Sequence, residues 1–157
     1  MPGGYSAPVA RPQHKKFPMK DGIKYDNQGD ALSRDVPATA LALIDEGGNG
    51  RERRFDYSDL MRLSGAVARG LRRLGLRRGD RVAILSANRA EFLISFLGTM
   101  QAGFVSVPVN WKLPAETVGY VVKDCDAKLV LGDEARLALA PDGAQDLVRQ
   151  ALDGVPR

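Results

Sequence analysis

Arg81-Val82-Ala83-Ile84-Leu85-Ser86-Ala87-Asn88-Arg89-Ala90-Glu91-Phe92-Leu93-Ile94-Ser95-Phe96-Leu97-Gly98-Thr99-Met100-Gln101-Ala102-Gly103-Phe104-Val105-Ser106-Val107-Pro108 is the stretch on which the fold turns. Arg81 to Leu85 is a short apolar run with β-branched members, bounded by turns, as a strand buried on both faces would be. Glu91 to Ala102 carries Phe92, Leu93, Ile94, Phe96, Leu97 and Met100, apolar nearly all round, which predicts a helix buried rather than lying on the surface. Gly103 ends that helix, Phe104 to Val107 forms the next strand, and Pro108, without an amide hydrogen, limits it. Strand, helix and strand at this spacing predict a parallel βαβ unit.

Downstream, the alternation continues. Pro114 suits a first helical position, and Val118, Val121 and Val122 give the helix an apolar face. Ala127 to Leu131 reads as a third strand, followed by helical segments near Glu134–Ala140 and Asp142–Leu152. The order from Arg81 predicts an α/β fold built on a partial open parallel sheet flanked by helices, with right-handed connections.

Upstream, Leu60, Leu63, Val67, Leu71 and Leu74 fall on one face of a helix expected over Tyr57–Leu74. Asp56 stands at its N-cap, where a carboxylate accepts from otherwise unbonded helix amides. Gly75 is the expected left-handed terminator. Ala40 to Ile44 has strand character, Asp45-Glu46-Gly47-Gly48-Asn49-Gly50 is turn chemistry, and Arg51 to Phe55 returns, so an N-terminal hairpin is expected. Residues 1–37, rich in Pro, Gly, Lys and Asp without sustained periodicity, read as an irregular, partly disordered leader. Residues 38–157 read as one incomplete α/β unit.

Composition narrows the classes. With 44% apolar and 27% charged residues, the chain has the make-up of an ordinary soluble globular protein. The single cysteine, Cys125, allows no internal disulfide, and with no secretory pattern at the N-terminus a reducing, cytoplasmic setting is expected. No apolar run approaches the roughly 18 residues of a spanning helix. Ten arginines against four acids lie between Arg51 and Arg81, which suits either an anionic partner or a solvated helix face. Only Phe55 and Tyr57 interleave with these arginines, where a base-stacking surface requires more, so nucleic acid is not expected as a partner.

Phe55-Asp56-Tyr57-Ser58-Asp59-Leu60, Ala68-Arg69-Gly70-Leu71-Arg72-Arg73-Leu74-Gly75-Leu76-Arg77-Arg78-Gly79-Asp80, the strand Arg81–Leu85, Asn88-Arg89-Ala90-Glu91, Phe96 to Gly103 and Val107-Pro108-Val109-Asn110 follow in a fixed order and spacing. Together they resemble the opening region of the AMP-binding, adenylate-forming superfamily, in its acyl-CoA synthetase or fatty-acid–CoA ligase branch. The resemblance implies that a full-length member joins a carboxylic acid to Mg-ATP, giving an acyl-adenylate and pyrophosphate. The thiol of coenzyme A then displaces AMP to give the thioester. It also implies a Ser/Thr/Gly-rich phosphate loop ending in Pro-Lys-Gly, adenine and ribose segments, and a lysine on a C-terminal lid. None of these has a counterpart in the 157 residues, so no catalytic, cofactor-binding or metal residue is carried over. An N-terminal ligase portion, inactive alone, is the expected function, with a non-catalytic binding or assembly module as the alternative. Expected partners are the remainder of the synthetase or a second copy.

Residue chemistry leaves few other candidates. Gly47 to Gly50 feeds an arginine-rich return strand rather than the helix N-terminus a phosphate cradle needs. His14 is the only histidine, so no Ser-His-Asp or Cys-His set can be built. His14 and Cys125 are too few to hold zinc. Asp124 and Asp126 crowd Cys125 with negative charge that disfavours thiolate, and themselves read as a solvated turn. Asn88 follows a strand at its carboxyl end, where ligands gather in open α/β sheets; it is either a pocket residue or the N-cap of the next helix. Asn110 and Trp111 also follow a strand end. Trp111 either lines an acyl or pantetheine path or packs against a neighbouring subdomain. Gly154 looks like a helix terminator, with a new strand expected just beyond it and an open sheet edge as an association liability.

Overall fold

The computed structural model describes Leu32, residues 36–46 and residues 52–140. Residues 1–31 and 33–35 of the leader, His14 among them, the glycine cluster at 47–50 and the expected helix at 142–152 lie outside the described residues.

β1 (Leu41–Asp45) and β2 (Arg53–Asp56) pair antiparallel as the expected hairpin arms. Asp45 is not part of the turn: it is the last residue of β1 and only 7% exposed. α1 (Tyr57–Arg73) starts where Asp56 accepts a hydrogen bond from the Asp59 amide at 2.8 Å. Its buried stripe is Leu60, Leu63, Val67 and Leu71. Gly75 follows at φ +81°, a conformation that strains any residue with a Cβ.

β3 (Arg81–Leu85), β4 (Val105–Pro108) and β5 (Ala127–Gly132) form a parallel sheet in the order β4-β3-β5. β3 is central, which explains its uninterrupted apolar run: Val82 through Leu85 are all buried. Register places Val82 beside Ser106 and Leu129, and Ala83 beside Val107 and Val130. Because strand side chains alternate, each set belongs to a different face. On the first face Val82, Leu129 and Leu131 pack with α1 and with α2 (Ala90–Gln101) through Leu63, Val67, Leu71 and Ile94. On the second, Ala83, Leu85 and Val130 pack with α3 (Ala115–Asp124) through Val118 and Val122. Each fully buried valine, leucine or isoleucine side chain among these contributes about 1.5–3 kcal/mol.

Several boundaries differ from expectation. Pro114 is the N-cap of α3 rather than its first residue. Phe104 is buried just before β4 begins. The helix after β5 is a single turn, α4 (Glu134–Leu137). α2 is not buried all round. Its inner face is lined by Ser95, Gly98 and Thr99 beside Ile94 and Leu97, while Phe92, Leu93, Phe96 and Met100 are only half-buried. The cause is close packing on α1: a Cβ on Gly98 would stand 2.6 Å from the Ser64 carbonyl oxygen and 2.7 Å from Val67 Cβ. Small residues are therefore required on the inside, and the large apolar side chains turn outward.

Candidate functional site

From β3 the chain passes through α2 to β4 on one side, then crosses through α3 to β5 on the other. The carboxyl ends of β3 and β5 therefore form the point where strand order reverses, the usual place for ligands in open α/β sheets. The Ser86–Arg89 loop leaves β3 here, and Asp133 follows β5.

Asp133 fills the junction. One carboxylate oxygen accepts from the Ser86 hydroxyl at 3.2 Å and the Ala87 amide at 3.1 Å. The other accepts from the Arg136 amide at 3.2 Å and its guanidinium at 3.1 Å. Arg136 lies over the Trp111 ring, 4.4 Å from its centre. Trp111 is half-buried against the α3-side core, and Lys112 approaches the ring at 5.7 Å. A continuous chain of contacts thus runs from the loop after β4, through Trp111, Arg136 and Asp133, to the loop after β3.

The three residues singled out by sequence are only partly brought together. Trp111 joins this chain by its ring, packed within the molecule. Asn110 is exposed, and its amide oxygen accepts from the Lys112 amide at 3.0 Å, closing its own turn. Asn88 is exposed on the switch-point loop, but it is not the α2 N-cap; Arg89 is, with no side-chain cap bond.

The start of α2 is held from elsewhere. Asp45, at the end of β1, accepts from the Ala90 amide at 3.1 Å and from the Arg53 guanidinium. Arg53 also forms two bonds with Glu91, at 2.7 and 2.9 Å, and Arg89 donates to Glu91 at 2.8 Å. Arg53, with Arg89 behind it, holds the Glu91 carboxyl down at about 2 despite its partial burial. Arg53 is correspondingly held in its charged form, chiefly by Glu91. Asp45, Arg53, Glu91 and Asp133 escaped sequence reasoning. Asp133 had a usable signal, an Asp between a strand and a helical segment; the long-range cap by Asp45 had none.

This junction does not suit the triphosphate of ATP. The Ala87 amide, the donor an anion would use, is already engaged by a carboxylate that would repel phosphate. Among the described residues no group of three or more His, Cys, Asp or Glu could hold a metal ion, and no helix is long and apolar enough to cross a membrane. Cys125 caps α3, half-buried, while Asp126 pairs with Arg81 and Lys128 in an exposed turn; the Lys128 ammonium is the main cause of its lowered pKa.

The chain is 38% identical over 87 residues to 4-hydroxybutyrate–CoA ligase 2 of Metallosphaera sedula, an alignment covering 55% of this chain and 16% of that one. It is 37% identical over 78 residues to the long-chain-fatty-acid–CoA ligase FadD13 of Mycobacterium tuberculosis, covering 50% and 16%. An uncharacterized Mycobacterium tuberculosis protein, Rv1549, is 39% identical over 95 residues, covering 60% of this chain and 53% of that protein. Among solved structures, the anthranilate–CoA ligase AuaEII in complex with anthranoyl-AMP superposes with a TM-score of 0.66 at 30% identity, over 77% of this chain and 23% of that one. The chain therefore spans less than a quarter of the length of these ligases. The family model for AMP-binding enzymes matches residues 32–155, and the chain belongs to that family.

Proposed function

We propose that this chain supplies the N-terminal α/β part of an ATP-dependent acid–CoA ligase and is inactive by itself. In the complete enzyme the acid's carboxylate oxygen attacks the α-phosphorus of ATP, pyrophosphate leaves, and the acyl-adenylate forms. The thiolate of coenzyme A then attacks the acyl carbon and AMP leaves. The observation that carries the reading is the family match across residues 32–155, in a chain whose switch point is occupied by Asp133 rather than by a phosphate-binding loop. Its own residues build a scaffold: they close the carboxyl end of the sheet and fix the loops after β3 and β4. Positioning and charge stabilisation at the phosphates, on which adenylyl transfer rests, come from outside these residues. ATP, Mg and coenzyme A belong to the complete enzyme, with the cytoplasm as its setting. Residues 38–157 act as the structural unit and 1–37 as its leader. Asn88, Asn110 and Trp111 serve at its boundary with the rest of the ligase rather than in chemistry.

Incubating the purified chain with Mg-ATP, a fatty acid and coenzyme A tests this. No AMP release and no tight binding by calorimetry are expected; thioester formation by the isolated chain would overturn the reading. A stand-alone assembly module is a second reading, favoured by Rv1549, a relative of which this chain spans about half.

A further inference from the structure

Among the described residues the arginines fall into two groups. Arg53, Arg54, Arg62, Arg81, Arg89 and Arg136 each pair with a carboxylate. Arg69, Arg72, Arg73, Arg77 and Arg78, all exposed, form no ion pair among the described residues. They follow one another along the last turns of α1 and the turn into β3. Asp80, the only acid between Arg69 and Arg81, is turned to the Arg77 amide at 2.6 Å. The cluster lies at the amino end of β3, opposite the junction at that strand's carboxyl end.

Helix electrostatics explain only part of it. The negative end of the α1 dipole suits Arg72 and Arg73 in the last turn, and Arg72 also reaches the Gln101 carbonyl oxygen at 3.4 Å. The dipole does not call for Arg69, a turn earlier on the same face as Arg73, or for Arg77 and Arg78 beyond the helix.

The surroundings select the partner. A protein partner is held by apolar or aromatic anchors at the centre of its interface. The large apolar residues that flank these arginines, Leu74 and Leu76, instead pack against the chain's own core on the α1 side. No aromatic residue lies between Arg69 and Arg81 for nucleic-acid bases to stack on. A second copy would set arginine against arginine. An anionic lipid surface needs neither anchor nor stacking. Its charge is spread over many phosphates, and each basic side chain close to it strengthens partitioning by about fivefold.

We propose that the Arg69–Arg78 cluster is a peripheral docking surface for anionic lipid, held by charge to phosphate headgroups without insertion. Docked, the chain turns the amino end of its sheet to the bilayer and the switch-point junction away from it. The inference does not depend on the ligase reading, which the thioester assay judges separately.

The test is co-sedimentation of the full chain with mixed phosphatidylcholine–phosphatidylglycerol vesicles, against phosphatidylcholine vesicles alone. Binding to the mixed vesicles only, weakening steeply with added salt, is expected. Arg69→Glu with Arg73→Glu and Arg77→Glu is compared with Arg54→Glu, Arg62→Glu and Lys128→Glu together. The second set makes an equal charge change at exposed positions that carry ion pairs. A loss of at least tenfold in the first set and less than threefold in the second supports the proposal. Lysine at the same three positions, Arg69→Lys, Arg73→Lys and Arg77→Lys, keeps the charge and is expected to retain binding within threefold. No binding to the mixed vesicles, equal binding to phosphatidylcholine alone, or an equal loss in both glutamate sets overturns the proposal. A loss on lysine replacement as large as on glutamate replacement overturns it as well. Retention on a DNA matrix without vesicle binding overturns it in favour of nucleic acid.

Discussion

Glu91 shows how a surface ion cluster becomes structural. It joins the hairpin, through Arg53, to the first turn of α2. Its carboxyl is lowered from 4.5 to about 2, chiefly by the bonds from Arg53. A depressed carboxylate contributes stability above its unfolded pKa and loses it as pH falls through the folded one. Glu91 thus stabilises the chain at neutral pH and ceases to do so between about pH 5 and 2. Arg53 is substantially exposed, so solvent screening reduces the worth of the pair to about 1 kcal/mol. Glu91→Gln is expected to lose about that amount in urea unfolding at pH 7 and to flatten the acid limb of the stability profile. Asp133 is more demanding, because its removal strands the Ala87 amide, leaves the Ser86 hydroxyl only the Ala87 carbonyl, and uncaps α4. Asp133→Ala is expected to cost about 2 kcal/mol by the same measurement.

Among the elements, α2 departs most from what its sequence suggests. Its apolar residues were visible, but which of them face inward was not. The direction is set by the fit of Gly98 on Ser64 and Val67 of α1, a contact between residues more than 30 positions apart. Overpacking of this kind costs about 1–3 kcal/mol. Gly98→Ala is expected to lower the urea midpoint accordingly, even though alanine is the better helix former. By contrast α1, β3 and β5 were legible, because each carries its own periodicity and stop signals: the Leu60–Leu71 stripe, the Asp56 cap, Gly75, and the unbroken run from Val82 to Leu85. At the candidate site, Asn88, Asn110 and Trp111 were correctly placed after strand ends. Of the residues that knit that region, Asp133 carries a local signal as the cap of α4, whereas the contacts of Arg136 with Trp111 and of Asp45 with Ala90 are hidden because those partners are remote in sequence.

For the molecule as a whole, the sheet is a shared wall. One core lies between it and α1 with α2, the other between it and α3, and β3 and β5 contribute to both. Neither side can lose its packing without exposing strands on which the other depends, so a single cooperative transition is expected. Trp111, the sole tryptophan, reports the α3 side, while far-ultraviolet circular dichroism reports both. The two probes are expected to give coincident urea transitions. Leu63→Ala and Val118→Ala, cutting into opposite cores, are expected to shift both probes together, the leucine change by about 2–5 kcal/mol. Separated transitions would show that the cores melt independently.

Asp45 closes β1 and also receives the Ala90 amide, so the first turn of α2 is anchored by a residue 45 positions earlier. A helix normally nucleates on local signals, and this one has Arg89 at its N-cap with no side-chain cap bond of its own. Its initiation therefore waits for loop closure between distant stretches of chain, which slows assembly relative to a self-capped helix. The hairpin is therefore expected to close late in assembly and to lock the beginning of α2. While it is open the beginning of α2 frays, and the Ala90 amide becomes a natural hydrogen-exchange clock for hairpin opening rather than for the melting of α2 itself.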